Sequence, residues 1–121
     1  MNHLNKVIIA YSLFALASPA TAMTVSDFLP KAEKLMSASM GAMFSKHRKP
    51  VAAEMAKVTS GYRADIEAAQ RAGRKSSSCP PKKGSVNGKE FLTYLQSIPT
   101  AKRNLQVKVA FHGFMAKKYP C

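Results

Sequence analysis

Cys79 and Cys121 are the only cysteines of this 121-residue chain, and their spacing limits the chemistry they can do. A redox-active pair usually has two residues between its cysteines, whereas 41 residues separate these two. Neither cysteine has a histidine at the spacing typical of a metal site. We therefore predict a structural disulfide that ties the C-terminus to the middle of the chain. In the chain-entropy description, a disulfide that closes a loop of this length stabilises the fold by about 4 kcal/mol.

Three methionines and a histidine, Met36, Met40, Met43 and His47, recur at helical spacing. Thioether and imidazole groups suit Cu(I), so this face is a candidate for copper handling. Methionine is also a flexible core filler, and Gly41 interrupts the helical register. Core packing is the favoured interpretation, and we predict no metal site and no cofactor.

His47 and His112 are the histidines that lie beyond residue 22. As a catalytic base, either one would need a nucleophile and an orienting acid. His47 lies in the basic run 45–49, and His112 lies between Phe111 and Gly113. Neither flanking sequence resembles such a site. We predict a surface or core role for both histidines and no enzymatic activity.

A basic loop, residues 74–88, is the best candidate for partner binding. Its candidate contact residues are Arg74, Lys75, Lys82 and Lys83. A disulfide at Cys79 and the two prolines that follow it would hold this loop fairly rigid, which lowers the entropy cost of binding. The alternative is a solvated loop whose charge only keeps the protein soluble.

Residues 1–22 have the organisation of a secretory signal peptide. A short basic start ends at Lys6, residues 7–17 are apolar, and Ala20-Thr21-Ala22 supplies the small residues that signal peptidase needs. The apolar run is too short to anchor the chain across a hydrocarbon core of ~30 Å. We predict cleavage before Met23 and export of residues 23–121 as one domain.

The formal net charge of +13 is unevenly distributed. Residues 71–121 hold eleven basic side chains and one acidic one, whereas residues 23–70 hold seven basic and five acidic. A strongly basic half indicates an anionic partner or surface. Export makes nucleic acid an improbable partner, so anionic lipid, cell-wall polymer and an acidic protein stay open.

Apolar residues recur at every third or fourth position in four segments, which predicts an all-α fold of four helices around one core. The segments are 25–40, from Pro50 to Gly73, from Asn87 to Pro99, and from the residues after Asn104 to Lys118. Capping boxes are predicted at Thr24 and Asn87. Residues 102–109 alternate enough to keep a short strand as a less favoured alternative.

The C-terminal sequence, residues 109–121 (VAFHGFMAKKYPC), ends in a helical pattern followed by Tyr-Pro-Cys. Upstream, in this order, come Cys79-Pro80, Glu90-Phe91-Leu92 and Ser97-Ile98-Pro99. Together with the leader, this order resembles the Rap/Tai-like immunity proteins of type VI secretion over about residues 70–121. The resemblance implies a small, helical, disulfide-containing periplasmic protein, often a homodimer, that binds and blocks a peptidoglycan amidase toxin.

The residues and the resemblance agree on a non-catalytic periplasmic binding protein. The basic loop would enter the cleft of an acidic cell-wall amidase. The alternatives are a stand-alone basic envelope protein that binds anionic lipid or cell-wall polymer and, less favoured, periplasmic copper handling.

Overall fold

In the computed structural model, which describes residues 22–38, 41, 45–83 and 85–121, four α-helices form. They are α1 (Val25–Ser37), α2 (Arg48–Arg71), α3 (Gly88–Ser97) and α4 (Val107–Lys118), with a 3-10 turn at Thr100–Lys102. This architecture confirms the predicted all-α fold of four helices.

The leader lies almost wholly outside the described residues, so the signal peptide stays a prediction. Within the described part of the chain, no helix combines the length and the apolar character needed to span a membrane.

Side-chain caps start α1 and α3 where the sequence predicted them. The hydroxyl of Thr24 accepts a hydrogen bond from the Asp27 amide at 3.2 Å, and the Asn87 side chain accepts one from the Lys89 amide at 2.8 Å. The carboxylate of Glu90, the expected second partner in the box at Asn87, pairs with the ammonium group of Lys118. An ion pair has replaced the predicted local contact.

Two helix boundaries differ from the prediction. α1 ends at Ser37 rather than near residue 40, and the Ser37 hydroxyl donates to the Lys34 carbonyl at 3.1 Å, which competes with helical bonding. α2 begins at Arg48, two residues before Pro50. Proline is tolerated there because the first-turn amides have no helical acceptor. Gly73, at a φ of 68°, follows the end of α2 as predicted.

The alternative strand at 102–109 is reduced to one isolated antiparallel bridge, between Thr24 and Gln106. α4 begins immediately afterwards, at Val107. The bridge nevertheless holds the start of α1 against the segment that leads into α4.

The core lies between α4 and the other three helices. Phe111 is at its centre, with the rings of Tyr62 and Phe91 packed edge to face at centroid distances of 5.2 and 5.3 Å. Such aromatic pairs add to the free energy gained from burial alone. Five apolar residues of α4 are buried in this core: Val107, Ala110, Phe111, Phe114 and Met115.

Candidate functional site

The loop between α2 and α3 is fastened to the fold at its middle. Cys79 and Cys121 form the predicted disulfide, with their Cα atoms 4.8 Å apart. The Cys79 amide also donates to the Tyr119 carbonyl at 2.8 Å. Next to it, the Ser78 side chain is 1% exposed and shares a hydrogen bond with the Tyr62 hydroxyl of α2. The loop is therefore anchored to both α2 and the end of α4.

The four predicted contact residues lie on either side of this anchor. Arg74 and Lys75 follow Gly73, and Lys82 and Lys83 follow Pro80-Pro81. All four residues are exposed. The structure thus presents two pairs of cations from a loop whose centre is fixed, and their role in partner binding stays a prediction.

A cavity of about 750 Å³ lies beside the loop, and sequence reasoning did not find it. All four helices and the prolines of the loop line it, and its apolar lining includes Phe28, Leu35, Met55, Ile66, Leu92 and Met115. Its charged lining residues are Arg63, Glu67 and Lys82. This volume falls in the range of small-ligand pockets. Lys82 is therefore shared between the basic loop and an apolar cavity.

His112 bridges α2 and the basic loop. Its Nδ1 lies 3.0 Å from the Ser77 hydroxyl, and its Nε2 lies 2.8 Å from an Asp65 carboxylate oxygen. Lys108 contacts the same oxygen at 3.2 Å. The hydrogen bonds from His112 and Lys108 hold the pKa of Asp65 below its ordinary value. The flanking sequences could not reveal these partners, because Ser77 and Asp65 are 35 and 47 residues away from His112.

Ser77, His112 and Asp65 are the residue types of a nucleophile, a base and an orienting acid. With the neutral ring protonated at Nε2, Nδ1 accepts from Ser77 and Nε2–H donates to Asp65. Asp65 is 45% exposed and also forms an ion pair with Lys108. We interpret these contacts as surface interactions that join α2, α4 and the loop. The absence of enzymatic activity stays a prediction.

The methionine and histidine face is only partly described. Met36 is 44% exposed on α1, and His47 lies directly before α2, whereas Met40 and Met43 lie outside the described residues. The pKa of His47 is lowered, first by desolvation and then by the positive charges of nearby lysines: Lys34, Lys46 and Lys31. The same charges oppose the binding of a cation. Among the described residues, no group of three or more His, Cys, Asp or Glu side chains is placed to hold a metal ion.

Glu54 is a buried acid that the sequence analysis overlooked. It is 4% exposed on α2, where it lies on the same face as Val51 and Val58. Its Oε1 accepts a hydrogen bond from the Met23 amide at 3.2 Å, and its Oε2 lies 3.6 Å from the Lys57 ammonium group. An acid among the apolar positions of a helical stripe was the signal in the sequence.

Comparisons with protein-family models, with curated proteins and with solved structures find no match to this chain.

Proposed function

We propose that this protein is an exported, non-catalytic binding protein of the immunity type, which blocks a peptidoglycan amidase by placing its basic loop in an acidic cleft. The observation that carries the proposal is the loop itself. Four exposed cations, Arg74, Lys75, Lys82 and Lys83, surround an anchor made of a disulfide, a backbone hydrogen bond and a buried side-chain hydrogen bond.

The anchor supports binding through entropy. A segment that must be ordered on association loses conformational freedom at that moment, and this loss reduces the net affinity. Here Ser78 and Cys79 are already held against Tyr62 and Tyr119. The middle of the loop therefore needs little further ordering when a partner binds.

The charge of the loop supports an acidic partner. Positive and negative surfaces that face each other raise the association rate and select against wrong partners, and salt weakens both effects. The loop belongs to the half of the chain in which eleven basic side chains outnumber one acidic one. The order of C-terminal motifs that resembles Rap/Tai-like immunity proteins supports an amidase as that partner.

A second candidate function, envelope-lipid binding, is favoured by the cavity. An anionic amphiphile needs an apolar space for its chain and a cation for its head group. The cavity of about 750 Å³ supplies the first, and Lys82 and Arg63 in its lining supply the second. Anionic cell-wall polymer, in contrast, would use the exposed cations without the cavity.

An affinity capture separates the two functions. The oxidised protein, residues 23–121, serves as bait against periplasmic and secreted extract. Recovery of one stoichiometric cell-wall hydrolase, with its peptidoglycan cleavage inhibited on mixing, supports the immunity function. Recovery of lipid or peptidoglycan fragments without a stoichiometric protein contradicts it and supports the envelope alternative.

A further inference from the structure

The start of the described chain is held in a fixed position. The Val25 amide donates to the Leu105 carbonyl at 2.9 Å, and the Val107 amide donates to the Met23 carbonyl at 3.0 Å. A third bond, of 2.8 Å, joins the Ser26 amide to the Arg103 carbonyl. These bonds fix the backbone of residues 23–26, and with it the nitrogen atom of Met23.

That nitrogen points at a buried carboxylate. Glu54 is 4% exposed, and its Oε1 accepts from the Met23 amide at 3.2 Å. Its other oxygen faces Lys57, whose side chain is 50% exposed. A buried carboxylate is costly unless charged or hydrogen-bonding partners compensate for its lost hydration. An amide hydrogen is a weaker partner for it than an ammonium group would be.

We infer that Glu54 is the binding site for the α-ammonium group that leader removal creates on Met23. The inference rests on the proposed export, because it needs cleavage between Ala22 and Met23. Two observations that do not depend on each other meet at this atom. The small-residue pattern 20–22 predicts a cut before Met23, and the fold places a buried acid beside the nitrogen that the cut would free.

Water is the only co-reactant that the cleavage consumes. Hydrolysis of the Ala22–Met23 peptide bond consumes one water molecule, leaves a carboxylate on Ala22 and leaves an amino group on Met23. The amino group takes up a proton near neutral pH, since the ordinary pKa of an α-amino group is about 8. Among the residues that the structure describes, the charged groups placed here include Glu54 and, on its second oxygen, Lys57.

The site also fits an N-terminus at Met23 better than one at a neighbouring residue. Consecutive Cα atoms are about 3.8 Å apart, so an N-terminus one residue earlier or later would move the charge out of hydrogen-bonding reach of Glu54. Maturation before Met23 replaces a neutral hydrogen bond by a charge-assisted one and leaves the surrounding backbone bonds in place. The mature domain is therefore more stable than the same fold with its leader attached.

The first test measures the new N-terminus directly. The full chain is exported from a bacterial host, and the mass of the recovered protein must correspond to residues 23–121. A titration of the α-amino group by NMR then compares the wild type with Glu54→Gln. We expect the α-amino pKa to lie above its ordinary value in the wild type and to return to it in the variant.

Glu67→Gln is the matched control, because it removes an exposed carboxylate from the same helix. It should leave the α-amino pKa where the wild type has it. An exported protein that starts at another residue overturns the inference, and so does an α-amino pKa that Glu54→Gln does not lower.

The second test does not depend on the folding of a Glu54 variant. A chain starting at Met23 and a chain that keeps Ala22 both retain Glu54, and their unfolding is compared between pH 6 and pH 10. If the pKa of the α-amino group is raised in the folded state, the group stabilises the protein at pH values below its ordinary pKa. This stabilisation is lost as the pH rises through the raised folded-state pKa. We expect the shorter chain to have the higher unfolding midpoint near neutral pH and to lose that advantage at high pH. Equal midpoints at every pH overturn the inference.

Both tests use the purified protein alone. If no partner is captured, the inference about Glu54 and Met23 is unaffected. If these two tests fail, the N-terminal site is disproved and the proposal about the basic loop is unaffected.

Discussion

Tyr62 and Ser78 share a buried hydrogen bond that joins α2 to the loop carrying all four proposed contact residues. The bond lies directly beside Cys79, whose disulfide fastens the same loop to the C-terminus. One face of the loop is thus held by a helix of the core, while its cations stay in solvent. The position of the proposed binding surface depends on these contacts.

Tyr62→Phe should destabilise the domain by about 1–3 kcal/mol, because it leaves the Ser78 hydroxyl buried without this partner. Denaturant unfolding of the oxidised protein measures the change. The double variant Tyr62→Phe with Ser78→Ala is the control, since it removes both polar groups and should recover part of the loss. A double variant less stable than the sum of the single changes would contradict this explanation.

Replacing both cysteines by alanine should reduce the free energy of unfolding by about 4 kcal/mol, because the disulfide closes a long segment of chain. Reduction of the wild type by dithiothreitol should produce a loss of the same size. The double alanine variant is its own control, as reductant should not affect its unfolding. Equal stability of the oxidised and reduced wild type would show that the bond contributes nothing.

The contact between Asp65 and His112 should contribute stability that disappears in acid. Because His112 and Lys108 lower the pKa of Asp65, the folded state binds fewer protons than the unfolded state below about pH 5. The contribution is present above the ordinary value of 3.8 and is lost as the pH falls through the folded-state value. It should stay under about 1 kcal/mol, since exposed pairs contribute little.

Unfolding of the wild type and of Asp65→Asn between pH 7 and pH 2.5 measures this contribution. The wild type should be the more stable at pH 7, and the difference should vanish at the acid end. A difference that grows on acidification would contradict the assignment. Asp27→Asn gives a comparison with an exposed acid on α1.

Filling the cavity should separate the two candidate functions. Met55 is half-buried and lines the cavity, so Met55→Trp places a large side chain there. If anionic lipid enters the cavity, vesicles containing phosphatidylglycerol should bind the wild type and bind this variant at least tenfold more weakly, about 1.4 kcal/mol. If the basic loop acts alone, the variant should bind an acidic protein partner as well as the wild type does.

The fold could be predicted from local signals in the sequence. Thr24, Asn87 and Gly73 mark helix ends through their own side chains or backbone freedom, and apolar periodicity marks the faces between them. The disulfide followed from the presence of only two cysteines. The end of α1 was misplaced because the hydroxyl of Ser37 competes for a helical carbonyl, which periodicity does not register.

The contacts that sequence reasoning missed are those between distant residues. Ser77 and Asp65 meet at His112 only because α2 and α4 pack side by side, and no spacing along the chain indicates that meeting. Glu54 could have been identified from the sequence, since it interrupts the apolar face of α2 with a charge. The cavity could not be predicted, because its walls come from four helices and a loop.

The most direct measurement of the central claim is charge reversal in the basic loop. Arg74, Lys75, Lys82 and Lys83 are all changed to Glu, and capture of a cell-wall amidase from periplasmic and secreted extract is compared with that of the wild type. The matched control changes one arginine and three lysines that are exposed elsewhere: Lys34, Arg48, Lys49 and Lys102. Both variants carry the same net charge, so only the position of the change differs.

We expect the wild type and the control to retain and inhibit the amidase, and the loop variant to lose at least a hundredfold in affinity, about 2.7 kcal/mol, with its helical circular dichroism unchanged. An amidase retained equally by all three proteins, or no amidase retained by the wild type, would contradict the proposed function.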